Sequence, residues 1–408
     1  MITRIEGGVT AARGFRAAAV EANIKYKNRK DMAMIYSAVP CRTAGTFTSN
    51  VVKAACVLWD KQMVEETEYS QAVVVNSGIA NACTGTQGFD YCRQTAQAMA
   101  EALSIQESAC LVASTGVIGM QLPLEKIKAG VKALSGQLSE TKEAGTMAAK
   151  AIMTTDTRHK EIAVSFIAGG KEVTLGGMCK GSGMIHPNMC TMLAFLTTDI
   201  AISKELLQEA LRENVKDTFN MVSVDGDTST NDTLLILANG LAKNPEITEK
   251  NADYEAFCEA LLYVNTQLAR LMAGDGEGAT ALVETHVYHA PSKEEARLLA
   301  KSVICSSLTK AAIFGHDANW GRVLCALGYS GVRFDPEKIE LFFAAGEKKI
   351  QIFKDGVAND YSEEEASEIL SMPEVQILVD MKAGNSEAKA WGCDLTYDYV
   401  KINADYRS

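Results

Sequence analysis

Six short runs rich in Val, Ile and Leu, each closed by Gly, Asn or Asp, limit what this chain can fold into. They are AVVVNSG (72–78), CLVASTG (110–116), EIAVSFIAGG (161–170), CTMLAFLTTD (190–199), MVSVDG (221–226) and TLLILANG (233–240). Runs of this length and composition read as strands. Between and after them lie helical patterns. SKELLQEALRENVKDTF (203–219) opens on a candidate N-cap, Ser203, and NADYEAFCEALLYVNTQLARLMAG (251–274) ends on a glycine. Capping boxes run from Ser292 to Glu295 and from Ser362 to Glu365. Two hairpins are expected, around Gly169-Gly170 and around Ala345-Gly346. Hairpins mixed with long helices point to α+β or layered α/β architecture with mixed or antiparallel sheets, not to a regular doubly wound parallel sheet.

Length and charge narrow the function classes. The 408 residues suggest two or three domains or one large layered one, and no repeat, low-complexity tract or Pro/Ser-rich linker divides them. The net charge of −11 argues against a nucleic-acid partner and leaves small molecules as the expected ligands. The N-terminal MITRIEGGVTAARGF lacks the apolar core of a signal peptide, and no apolar run approaches the roughly 18–20 residues of a membrane helix. A cytoplasmic protein without membrane partners is expected. The eleven cysteines, an odd number with no C-x-x-C pair, fit small buried hydrophobes in a reducing compartment better than a disulfide framework or a zinc site.

Several motif-like stretches fail on inspection. DGDTSTND (225–232) spaces its acids like a calcium loop, but Thr230 and Ile236 stand where the EF-hand needs Gly and Glu, so an Asx-rich turn is the better reading. GDGEG (274–278) follows a helix and precedes a strand, the reverse of a dinucleotide fingerprint; Glu277, an acid among glycines, remains unusual. His286 and His289 lie in a strand-like run at a spacing that points them to opposite faces, so no shared metal is expected. No metal ligand set and no organic cofactor motif emerges.

The stretch KGSGMIHPNMCTMLAFLTTD (180–199) carries a possible nucleophile at a junction between a glycine-rich turn and an apolar run. Read alone, it is better explained as a Gly/Pro/Asn turn entering a strand. Two chemical readings stand beside that one. Cys190 could attack as a thiolate if its pKa were depressed. Alternatively, a cut before Thr191 would free an α-amine titrating near 7.7–8.0, close enough to accept the proton of the same residue's hydroxyl.

Seven stretches taken together resemble the ornithine acetyltransferase family of arginine biosynthesis across essentially the whole chain: NSGIANACTG (76–85), STGVIG (114–119), AAKAIMTTDT (148–157), GGMCKGSGMIHPNMCTML (176–193), SVDGDTSTNDT (223–233), FGHDANWGR (314–322) and INADYRS (402–408). The resemblance implies a precursor that cleaves itself between Cys190 and Thr191. An α chain (1–190) and a β chain (191–408) would stay folded together as one unit, as an α2β2 assembly, with a smaller α/β subdomain in roughly 290–400. It also implies an αββα-type sandwich like that of the self-processing N-terminal-nucleophile amidases.

By the same resemblance, Thr191 is the nucleophile, Thr115 and Gly116 stabilise the oxyanion, and Thr154, Lys180, Thr191, Glu277, Asn403 and Ser408 contact substrate. The implied reaction is a ping-pong transfer of acetyl from N²-acetyl-L-ornithine to L-glutamate through an acetyl-threonine, with no cofactor and with acetyl-CoA left open as a second donor. Lys180 would offer a cation to a carboxylate and Glu277 an anion to an amino group. Cys190 departs from the alanine found before the threonine in many members. The rival readings are a self-processed amidase or aminopeptidase that gives its acyl group to water, and a non-catalytic amino-acid-binding relative.

Overall fold

The structure, a computed structural model, describes residues 1–186 and 192–404. These divide into two compact units. The first is built from the described parts of Met1–Gly181, Pro187–Lys216 and Thr228–Leu268, and the second from Ser182–His186, Asp217–Asp227 and the described part of Ala269–Ser408. Each unit has its own mixed sheet. The protein is therefore mixed α/β, as the alternation of runs and helical patterns requires.

The sheet of the first unit takes β1 (Thr3–Ile5), β2 (Phe15–Val20), β3 (Met32–Phe47), β4 (Ser70–Ile79), β5 (Cys110–Val117), β6 (Lys160–Ala168), β7 (Lys171–Lys180) and β8 (Leu193–Thr198). After the short β9 (Val222–Ser223), which belongs to the other unit, it takes β10 (Thr233–Ala238). The spatial order is β1-β6-β7-β8-β10-β3-β4-β5, with β2 also paired to β3. Every residue of β8 and β10 is buried, which is why LAFLTT and TLLILA read as continuous rather than alternating runs. These two strands are parallel to each other and antiparallel to β7 and β3 on either side. At the far end, β4 and β5 pair in parallel, with a register irregularity at Gly78-Ile79. The β6–β7 hairpin turns at Gly169 and Gly170, both at positive φ (55° and 69°), the two-residue geometry such a pair favours.

Four helices pack on the β2–β5 end: α1 (Ala55–Glu66), α2 (Gly85–Leu103), α3 (Leu124–Ser135) and α4 (Lys142–Ala151). α5 (Lys204–Asp217) begins where expected, its Ser203 Oγ accepting from Leu206 N–H at 3.3 Å. α6 (Ala252–Ala273) carries the chain from one unit to the other.

In the second unit, β11 (Leu282–Ala290) pairs in parallel with β15 (Glu374–Asp380) and antiparallel with β16 (Ser386–Cys393). β12 (Glu340–Ala345), β13 (Lys348–Lys354) and β14 (Val357–Ala358) extend one side, and β9 closes the other. α7 (Lys293–Cys305) lies against β11 and β16, and α10 (Glu363–Leu370) against β12 and β13. α8 (Ser307–Phe314), α9 (Trp320–Gly328) and α11 (Tyr397–Ala404) complete the unit. Ser292 and Ser362 cap their helices by accepting from Glu295 and Glu365 N–H, each at 3.2 Å.

Two expectations need correction. The second hairpin turns at Gly346-Glu347, one residue later than expected, because Ala345 still pairs with Lys348. MVSVDG supplies only two strand residues. Val224 and Asp225 instead hold the backbone of Ile185 and Met184, so the sheet ladder stops there.

Candidate active site

In the first unit the C-terminal ends of β5 and β7 bring together four of the residues singled out in the sequence. Lys180, the last residue of β7, is buried, and its Nζ donates to Thr154 Oγ1 at 2.8 Å and to Thr115 Oγ1 at 3.4 Å. Thr115 and Gly116 sit near the end of β5 beside Ser77 and Gly78 of β4. Gly116 has φ +130°, and a Cβ there would lie 2.2 Å from the Gly78 carbonyl carbon and 2.6 Å from Ile79 N. Only glycine lets the two backbones meet this closely. Asn231 ties the region together, its Nδ2 donating to Ala80 O at 2.5 Å and Ser114 O at 2.8 Å. Thr154 caps no helix. It follows α4 in an irregular stretch that ends at β6.

Two carboxylates that the sequence reading passed over complete this cluster. Asp156, with a fully buried side chain, accepts from Lys160 Nζ and Gly181 N–H at 2.7 Å each and from Thr154 N–H at 3.0 Å, and its other neighbour is Lys180 Nζ at 3.9 Å. Burial alone would raise its pKa; the Lys180 and Lys160 ammonium groups and these hydrogen bonds overcome that and hold it well below the usual carboxylate range. Asp232, immediately before β10, is pushed well above that range by burial, in spite of hydroxyls from Ser229 and Thr48 and the nearby Lys180 charge. Its signal was present in SVDGDTSTND but reads as turn chemistry without the tertiary contacts.

The second unit positions Glu277 and Asn403. Glu277 follows α6 in the GDGEG turn and is buried; Asn403 Nδ2, from α11, donates to its Oε2 at 2.7 Å. Asn403 lies in the last turn of α11. The Glu277 N–H donates to Ser182 O at 2.9 Å, and its carboxylate lies over Gly183, where a Cβ would come within 2.3 Å of Oε2. Asp225 grips the next residues, accepting from Met184 N–H at 2.6 Å and Ile185 N–H at 2.9 Å, and from Tyr399 Oη at 3.2 Å. The carboxylate that looked like a calcium ligand is thus occupied by backbone. Cys190, Thr191 and Ser408 lie outside the described residues.

His286 Nε2 pairs with Glu387 at 2.8 Å and His289 Nδ1 with Asp380 at 2.9 Å. Among the described residues no group of three or more His, Cys, Asp or Glu could hold a metal ion, and no helix is long and apolar enough to cross a membrane. The ten described cysteines are all unpaired with one another, and burial pushes the Cys41, Cys56 and Cys110 thiols up to about 12.

Comparison with known proteins adds to this geometry. The ArgJ family matches residues 16–408. The arginine biosynthesis bifunctional protein ArgJ 1 of Clostridium acetobutylicum is 50% identical over 97% of this chain and 96% of its own length. The arginine biosynthesis bifunctional protein ArgJ of Symbiobacterium thermophilum is 51% identical over 99% of both chains. A crystal structure of the ArgJ bifunctional protein from Bacillus halodurans is 46% identical over 52% of this chain and 97% of the crystallised one, with a TM-score of 0.49.

Proposed function

The chain belongs to the ArgJ family, and from that premise we propose that it is an acetyltransferase of arginine biosynthesis that moves acetyl from N²-acetyl-L-ornithine to L-glutamate. The bifunctional naming of its relatives supports acetyl-CoA as a second donor to glutamate. The observation that carries the reading is the buried Lys180 ammonium, set between the hydroxyls of Thr115 and Thr154 beside a Gly116 that only glycine can occupy.

The chemistry runs as follows. The precursor cuts itself between Cys190 and Thr191. The Thr191 amine takes the proton of its own hydroxyl, and Oγ attacks the acetyl carbonyl. The Thr115 hydroxyl and Gly116 N–H receive the oxyanion, each such donor being worth about 2.7–4 kcal/mol. The C–N bond breaks, ornithine leaves with the proton held by the amine, and an acetyl-threonine ester remains. The neutral amino group of glutamate then attacks that ester, and N-acetylglutamate leaves as Oγ is reprotonated. Lys180 and Thr154 serve the substrate carboxylate; Glu277, with Asn403, serves an amino group; Ser408 completes the contacts. No cofactor enters the scheme.

The strand order supports fragments 1–190 and 191–408 that remain one folded body. β8 and β10 belong to the second fragment, yet they lie between β7 and β3 of the first. An α2β2 assembly and a cytoplasmic setting belong to the same proposal, the latter in keeping with ten described cysteines that form no disulfide with one another. Mass analysis of the purified protein should give two fragments meeting at 190/191, and Thr191→Ala should remain one chain and transfer nothing. An uncut, fully active Thr191→Ala would refute the mechanism. Incubation with acetylornithine, with and without glutamate, separates transfer from hydrolysis, and glutamate with acetyl-CoA alone tests the second donor.

A further inference from the structure

We propose that Asp156 is a positioning residue for the oxyanion donor, acting through Lys180 to aim the hydroxyl of Thr115. The proposal rests on the assignment of Thr115 given above.

Asp156 lies between two lysines. Lys160 and Asp156 have no side-chain exposure at all, and Lys180 has 9%. A buried carboxylate needs an ion-pair partner and further hydrogen bonds, and Asp156 has these from Lys160 at 2.7 Å and from Gly181 and Thr154 N–H. Lys180 directs its ammonium at two hydroxyls, Thr154 Oγ1 and Thr115 Oγ1.

An ammonium group donates and cannot accept. Thr115 Oγ1 must therefore accept from Lys180, and its own proton must point elsewhere. A cation on the lone-pair side also makes that O–H a stronger donor, since hydrogen bonds in series polarise one another in a low-dielectric site. A neutral lysine would have a lone pair and could take the Thr115 proton as an acceptor, which would turn the donor away from a developing oxyanion. Burial favours that neutral form, and an adjacent anion opposes it. Among the described residues, the titratable groups facing Lys180 include Asp156 from the 154–158 stretch, Lys160 at the start of β6 and Asp232 before β10. Of the two carboxyls, Asp232 is held toward its neutral form by burial, which leaves Asp156 as the anion that keeps Lys180 charged. Asp156 also fixes the backbone on both sides, through Thr154 N–H and Gly181 N–H.

The test is a double-mutant cycle on the cut enzyme, with acetyl transfer from acetylornithine to glutamate as the readout. Thr115→Val should lower kcat by about 100-fold, and Asp156→Asn by about 10-fold or more. If Asp156 acts through the Thr115 hydroxyl, adding Asp156→Asn to Thr115→Val should cost less than about twofold further. Full additivity would overturn the proposal while leaving the assignment of Thr115 intact. No loss in Thr115→Val alone would instead overturn that assignment. A pH profile gives the second readout. Asp156→Asn should bring a new alkaline limb into kcat as Lys180 loses its proton, and Lys180→Arg in that background should remove the limb, because a guanidinium stays charged. An unchanged profile in Asp156→Asn would also overturn the proposal. Should the Asn chain fold poorly, Asp156→Glu keeps the anion; it should lower kcat without introducing the alkaline limb, and a limb appearing there would overturn the proposal.

Discussion

Gly183→Ala tests the amino-group contact proposed for Glu277 with a single methyl. Gly183 has no positive-φ requirement, so alanine is conformationally acceptable there, and the conflict is with one side chain. Its new Cβ would stand 2.3 Å from Glu277 Oε2, 2.4 Å from Cδ and 2.5 Å from Oε1, whereas ordinary contact begins near 3.4 Å. The carboxylate must therefore retreat by roughly 1 Å. That movement would stretch the 2.7 Å bond from Asn403 beyond useful length and withdraw the anion from a bound ammonium. A hydrogen bond to a charged group is worth about 1.5–3 kcal/mol, and at about 1.4 kcal/mol per decade this becomes a rise in KM for acetylornithine of roughly 10- to 150-fold. Thr115 and Gly116, the proposed oxyanion donors, are not among the groups the new Cβ meets, so kcat should change by less than about threefold. The assay is steady-state transfer to glutamate with acetylornithine varied, on protein whose cut has been verified by mass. Glu277→Asp added to Gly183→Ala shortens the acid by one methylene and should recover part of the affinity. A KM unchanged within twofold would refute the reasoning. So would a loss of kcat at constant KM, or a chain that is no longer cut, which would make Gly183 a processing residue.

Gly116→Ala should lower kcat by about 100-fold or more, because its Cβ meets only backbone of Gly78 and Ile79 and the strand ends must part; near-normal turnover would show that the β4–β5 approach is not needed for chemistry. Asp60 has one oxygen bonded to Val112 N–H at 2.7 Å and the other without a partner among the described residues, and burial holds its pKa well above normal. Between an unfolded value near about 3.9 and that raised value, the native state binds one more proton than the unfolded state, so this group makes stability fall as pH rises. Asp60→Asn should flatten the pH dependence of urea unfolding between about pH 5 and pH 8; an unaltered slope would mean that Asp60 titrates normally. Ser292→Ala removes the cap that accepts from Glu295 N–H and should cost about 1 kcal/mol of unfolding free energy, read from the urea midpoint.

Local signals in the sequence foretold local structure. Gly169-Gly170, Ser203, Ser292 and Ser362 do what their chemistry dictates, because a turn or a cap is decided within four residues. The apolar runs became β4, β5, β6, β8 and β10 for the same reason. MVSVDG did not become a full strand, since Asp225 bonds to residues about 40 positions away, and no local pattern encodes that. The site shows the same division. Lys180, Thr115 and Thr154 were singled out by family resemblance and are brought together by hydrogen bonds. Asp156 and Asp232 were passed over because a lone aspartate in a polar loop reads as a turn residue until burial and a lysine partner give it another role.

The placement of β8 and β10 between β7 and β3 also bears on how such a protein can be made. A precursor cut only after folding never exposes the interior of its sheet. Two fragments synthesised separately would each begin life with unpaired strand edges, β7 and β3 in the first and the wholly buried β8 and β10 in the second. Such edges are templates for aggregation. Under the proposed cut at 190/191, continuity of the chain would act as an intramolecular chaperone, needed once and then severed, and a cut protein unfolded in urea should refold far less completely than its uncut Thr191→Ala counterpart.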